Sequence, residues 1–214
     1  MSGIKVGSRC SNYSILEVVK NVITIICNKL QFGGKVRLVR YPVIIRGKKY
    51  IDFGKQLTTG YYCRIEVNGK HKEKVLLLGE NVNIGDNVSI RCAHKITIGN
   101  NVLLGSRVLI IDNSHGSYSG MEQDNPNVAP NVRPLVGAPI CIEDNVWIGE
   151  GSVIQMGVTI GKGSIIAANS VVTHNVAAET IVGGVPAREL KKYNYNTTKW
   201  EKGNGNNTSC CVET

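Results

Sequence analysis

Ile142-Glu-Asp-Asn-Val-Trp147, Ile148-Gly-Glu-Gly-Ser-Val153, Ile154-Gln-Met-Gly-Val-Thr159, Ile160-Gly-Lys-Gly-Ser-Ile165, Ile166-Ala-Ala-Asn-Ser-Val171 and Val172-Thr-His-Asn-Val-Ala177 follow one another without a break. Each hexad opens on Ile or Val. Its fifth residue, Val146, Ser152, Val158, Ser164, Ser170 or Val176, is small or β-branched. A period of six matches neither the helical 3.6 nor strand alternation. It is the beat of a parallel β-helix made of hexapeptide repeats. Each hexad supplies a short strand and a corner; the branched residue points inward and the fifth must be small enough for the corner. Three hexads close one triangular coil, so this stretch predicts two coils.

Outward from this stretch the beat weakens. It is clear at Leu78, Ile84 and Ile90, and again at Ile98, Leu104 and Ile110 after a two-residue slip. Val82, Val88, Val102, Val108 and Ser114 run in phase with these residues. His94 takes a fifth position, fits it poorly, and reads as a displaced corner beside the slip. After His115 the beat stops until about Ala138. Gly120, Pro126, Pro130 and Pro134 make residues 116–137 an extruded loop. A loop of that length in a regular solenoid marks function.

Toward the N-terminus, Ser14-Ile-Leu-Glu17 is a capping box. It opens a predicted helix over residues 15–30, which Gly33 and Gly34 end. The first expectation for this helix is packing on the open end of the coil; the other is a helix lying on a membrane face. The predicted organisation has four parts. Residues 1–77 are a helix and irregular strands capping the coil. Residues 78–182 are a left-handed β-helix catalytic domain carrying loop 116–137. Residues 183–202 include a short C-terminal helix, and residues 203–214 form an Asn- and Gly-rich tail without fixed structure.

Composition bounds the function. A chain of 214 residues, 42% hydrophobic and 19% charged, holds one sizeable core. Two Phe and 24 Gly suit an Ile/Val coil with tight corners. The formal charge of +9 favours an anionic partner: nucleic acid, membrane surface, acidic polysaccharide or phosphorylated cofactor. Seven cysteines show no CxxC pair, and no signal peptide or membrane-spanning stretch is visible, which points to reduced thiols and a cytoplasmic location. The four histidines form no HxxH-like pair and have no neighbouring Cys to complete a zinc set, so the metal expectation is none.

His115 stands out by position: it closes a hexad directly before the extruded loop, within Ile111-Asp-Asn-Ser-His-Gly116. A neutral imidazole facing outward at a corner can take a proton from a substrate hydroxyl. Asp112 or Asn113 could fix its tautomer. Trp147 also closes a hexad, and an indole bare at the surface calls for a ligand or neighbouring chain to cover it. By hexad count the two lie on different edges of the prism. One site using both needs two subunits, hence a closed trimer.

Asn145-Val-Trp-Ile-Gly149, Gly157-Val-Thr-Ile-Gly161, Ala168-Asn-Ser-Val-Val-Thr173 and Gly184-Val-Pro-Ala-Arg188 resemble the galactoside and maltose type hexapeptide-repeat O-acetyltransferases. The resemblance covers about residues 78–192. Within that family the chain is most similar to lipopolysaccharide O-antigen O-acetyltransferases, through Asp112-Asn-Ser-His-Gly116, Arg133-Pro-Leu135, Lys191-Lys-Tyr-Asn-Tyr195 and Trp200-Glu201. Tyr41-Pro-Val-Ile-Ile-Arg46 and Phe53-Gly54 resemble that subfamily as well. The resemblance implies a left-handed coil, a homotrimer and acetyl-CoA bound between subunits. It makes His115 the base and sets Trp147 beside the acetyl group. The backbone amide of Glu150 falls at the thioester. Ala168 and Thr173 would touch pantetheine, while Arg188 and Lys191 would meet the phosphates. His174 stands where a phosphate-contacting lysine is common, and Asn113 where close relatives often carry a second histidine. The implied function is acetyl transfer to a hydroxyl of a surface polysaccharide or its precursor, without nucleic acid and with possible peripheral membrane association. An antibiotic acetyltransferase and a non-enzymatic β-helical scaffold are the alternatives.

Overall fold

The computed structural model describes residues 14–202. Three parallel sheets wrap into a prism, and successive strands visit the faces in strict rotation. Face one stacks Val43–Arg46, Cys63–Val67, Ser89–Cys92, Leu109–Ile111, Val153–Ile154 and Val171–Val172. Face two stacks Ile51–Asp52, Leu76–Leu78, Ile96–Ile98, Ile140–Ile142 and Thr159–Ile160. Face three stacks Thr58–Thr59, Asn83–Ile84, Leu103–Leu104, Trp147–Ile148, Ile165–Ile166 and Thr180–Gly184. The fold is a left-handed parallel β-helix with one N-terminal helix.

The hexads place the core as read. Ile142, Ile148, Ile154, Ile160, Ile166 and Val172 are buried, and so are all six fifth-position residues. The serines among these fit because their hydroxyls are satisfied: Ser164 Oγ donates to the Ala177 carbonyl at 2.7 Å and Ser170 Oγ to Ala167 at 2.7 Å. Corners need a left-handed residue, and Asn81, Asn87, Asn101, Asn145 and Asn169 supply it at φ between 55° and 59°. Asparagine tolerates that region better than most side chains.

Four expectations change. The coil does not begin at residue 78: Leu38 already bridges Thr58, and the strands from Val43 onward pair in register with the coil above. Phe53, Thr59 and Ile65 stand six apart and buried, with Leu57 and Cys63 on fifth positions. A buried threonine and cysteine replace the expected aliphatics, which hid the beat. Ser114, read as a corner residue in phase, instead leaves the coil in a strand, Asn113–His115, paired antiparallel with Leu135–Gly137.

The short C-terminal helix is absent. Ala187–Asn194 lies antiparallel on Thr180–Gly184, and Lys199–Lys202 lies antiparallel on it in turn. Glu189-Leu-Lys-Lys has fair helix propensity, but the last coil leaves a free sheet edge whose ladder wins. Tyr193 packs edge-on against Trp200 at 5.3 Å and fixes the hairpin register.

Helix α1 (Ile15–Phe32) has the predicted capping box, with Ser14 N–H donating to Glu17 Oε2 at 2.8 Å, and Gly33 closes it at φ 64°. Its packing is the reverse of the first expectation. Asn28 is its only buried residue and donates from Nδ2 to the Val39 carbonyl at 3.1 Å, while Phe32 sits on Phe53. The apolar stripe of Ile15, Val19, Val22, Ile26 and Leu30 faces outward. No helix among the described residues is long and apolar enough to cross a membrane. The tail reading for residues 203–214 lies outside the described residues.

Candidate active site

His115 ends the strand that leaves the coil at the corner between faces one and two, and it is exposed. Among the described residues its ring has no hydrogen-bond partner. Below it opens a groove of about 660 Å³ lined on face one by Arg46, Arg64, Glu66 and Arg91, and above by Tyr118, Arg133 and Leu135.

The expected orienting groups are engaged elsewhere. Asp112 is fully buried, and its carboxylate accepts the N–H groups of Ala93 at 2.7 Å and His94 at 2.8 Å. Asn113 Nδ2 donates to the same carboxylate at 2.9 Å. Neither residue hydrogen-bonds the imidazole within one subunit. Asp112 instead pins the slipped corner at residues 93–94 to the root of the loop. The two amides of that corner turn to a carboxylate.

Sequence reasoning missed how much internal structure the loop has. The Tyr118 hydroxyl donates to the His115 carbonyl and accepts from Arg133 Nη1 at 2.7 Å. Arg133 also donates to the carbonyls of Val128, at 2.9 Å from Nε, and Pro126, at 3.2 Å from Nη2. Gly116 sits at φ 96°, a backbone conformation that suits glycine, and a Cβ there would crowd Asp124 Oδ2 and the Tyr118 hydroxyl at 3.0 Å. Arg133-Pro-Leu135 was the available signal.

Trp147 points outward on face three at 49% exposure, above Leu103 and below Ile165 in the ladder. Glu150 and Ala168 occupy equivalent corners of successive coils at the edge between faces three and one. The Glu150 side chain pairs with Arg107 at 2.6 Å, while its backbone N–H has no acceptor among the described residues. Thr173 and His174 lie two coils above His115, beyond face one, with Thr173 Oγ1 2.7 Å from His174 Nδ1. His174 and Arg188 line one cavity of about 330 Å³ at the top of the coil. Lys191 is on the neighbouring hairpin strand, paired with Ile181. The predicted residues therefore divide between two edges of one prism and do not converge within a single subunit. No group of three or more His, Cys, Asp and Glu residues among the described residues could hold a metal.

Residues 139–174 match the model for the hexapeptide repeat of succinyl-transferase. The chain is 34% identical over 191 residues to a putative lipopolysaccharide biosynthesis O-acetyl transferase of Escherichia coli K12, WbbJ, covering 89% of this chain and 95% of that protein. Among solved structures it resembles a maltose O-acetyltransferase from Clostridium difficile 630, with 27% identity, a TM-score of 0.54, and 84% and 89% of the two chains covered. It shares the fold of AntD, an N-acyltransferase from Bacillus cereus solved with coenzyme A, at 20% identity and a TM-score of 0.65 over 80% and 91% of the chains. The chain is an enzyme, an acyltransferase, and belongs to the hexapeptide-repeat O-acetyltransferase family.

Proposed function

We propose that the protein transfers an acetyl group from acetyl-CoA to a sugar hydroxyl of a surface polysaccharide or its precursor. The observation that carries this reading is an exposed imidazole, free of internal hydrogen bonds, at the mouth of a groove able to hold a sugar. His115 takes the hydroxyl proton as the oxygen bonds to the acetyl carbon; the C–S bond breaks, and the proton passes to the departing thiolate. The unengaged N–H of Glu150 donates to the developing oxyanion. Trp147 covers the acetyl end, Ala168 and Thr173 flank pantetheine, and Arg188, Lys191 and His174 meet the phosphates. The O-acetyltransferase names of the similar proteins, and the coenzyme A solved with AntD, support acetyl-CoA as the donor.

Because these residues divide between two edges, the site is completed by a second subunit, and a closed trimer supplies three such sites. The outward apolar stripe of α1, with Lys20 and Lys29 beside it, supports docking at the inner face of a membrane, where lipid-linked glycans are built. CoA release from acetyl-CoA, measured with sugars, sugar nucleotides and antibiotics as acceptors, tests the reading. Release that depends on a glycan acceptor is expected; release only with antibiotics refutes the acceptor class.

A further inference from the structure

The groove below His115 carries more positive charge than a neutral sugar needs. Arg46, Glu66, Arg91 and Ile111 are successive partners across the parallel strands of face one, climbing toward the strand that ends at His115. Strands about 4.8 Å apart set Arg46 and Arg91 on either side of Glu66, about 10 Å from each other. Glu66 is 3% exposed and holds Arg46 at 3.1 Å and Arg64 at 2.7 Å. Arg64 Nε and Glu66 Oε1 are buried without an aligned hydrogen bond, so these are charge contacts that leave guanidinium donors unspent. Arg91 donates only to Ser89 Oγ, at 3.3 Å. Three guanidinium groups against one carboxylate leave an excess of two positive charges in a concave, partly desolvated space. Arg133 adds a further charge beside the groove but few donors for a ligand, because most of its N–H groups are spent on carbonyls and a hydroxyl of the loop.

Resting on the acetyltransferase reading of this site, we propose that the acceptor carries an oxyanion that Arg46, Arg64 and Arg91 hold while its hydroxyl lies at His115. Guanidinium groups suit phosphate and carboxylate oxygens through paired, charge-assisted hydrogen bonds. The buried Glu66 keeps two of them extended and in place before the ligand arrives. A diphosphate link to a carrier and an acidic sugar present the same chemistry, and the experiment separates them.

Pyrophosphate and glucuronate are titrated calorimetrically into the full-length protein held in saturating CoA, which occupies the cofactor's own phosphate site. Binding of at least one anion is expected. It should weaken about tenfold or more in Arg46→Gln/Arg91→Gln, as the loss of two charge-assisted contacts implies, and strengthen in Glu66→Gln. Pyrophosphate binding alone identifies a phosphate-linked acceptor, and glucuronate binding alone an acidic sugar. Should the double variant unfold, Arg91→Gln carries the test, since its side chain has only Ser89 as an internal partner. The proposal is overturned if neither anion binds, or if binding survives loss of the arginines. The titration needs no turnover. Failure to release CoA with any acceptor would defeat the transferase reading while leaving this result to stand or fall alone.

Discussion

Replacing Asp112 separates two roles that its place in the sequence leaves open. In Asp112→Ala the amides of Ala93 and His94 lose a buried acceptor, and the Asn113 side chain loses its anchor. Each amide bond to an ionised carboxylate contributes about 1.5–3 kcal/mol. Removing a fully buried charge returns part of that sum as spared desolvation. The net loss is about 3 kcal/mol, which lowers the melting temperature of a chain this size by about 6–12 °C. Turnover should fall as well, because the root of the loop that carries His115 is released. Asp112→Asn keeps one acceptor oxygen and should lose about half as much stability. Thermal unfolding and CoA-release kinetics on the same preparations decide the matter. If Asp112→Ala melted like the wild type yet lost most of its turnover, the carboxylate would be acting on the imidazole, across a subunit boundary or after rearrangement, and the anchoring account would be wrong.

Burial pushes the Cys92 thiol up, with the Asp112 carboxylate adding to the effect, and burial likewise raises Cys63. Mass-spectrometric mapping after alkylation at pH 8 should find exposed Cys27 labelled and Cys63 and Cys92 untouched until the protein unfolds. The same shifts make stability fall as pH rises above the ordinary thiol value of 9.0, because the folded state holds those protons more tightly; a denaturation series flat from pH 8 to 11 would contradict this. Arg188→Ala and Lys191→Ala should each raise the KM for acetyl-CoA several-fold, about 1 kcal/mol apiece, with turnover at saturation unchanged. His174→Lys should tighten the cofactor, since it adds a fixed charge at the phosphates. Flotation with anionic phospholipid vesicles should recover the wild type, and a variant with Val22→Glu and Ile26→Glu should stay behind; equal recovery would remove the membrane role of α1.

The hexads were legible because a coil repeats its inward positions at fixed spacing and fills them with Ile and Val. Where Thr59 and Cys63 take those positions the geometry is unchanged but the pattern fades, so the first coils were read as irregular. The capping box gave the start of α1 but not its orientation: an apolar stripe says that something covers it, not what. Glu189–Tyr193 misled because a strand there depends on a free edge that only the finished coil presents. His115 was visible as the last residue before the loop. The Asp112 anchor was not, since its partners at residues 93–94 are brought near by the coil's pitch and not by sequence. The arginine ladder was hidden for the same reason, with Arg46, Glu66 and Arg91 aligned only once the strands stack.

The central claim is that His115 removes the acceptor proton, and His115→Ala tests it most directly. Turnover with a glycan acceptor should fall by about 100-fold or more, while acetyl-CoA binding measured by calorimetry stays at the wild-type value. A variant that keeps more than about a tenth of its turnover, or that loses its cofactor affinity instead, would contradict the assignment.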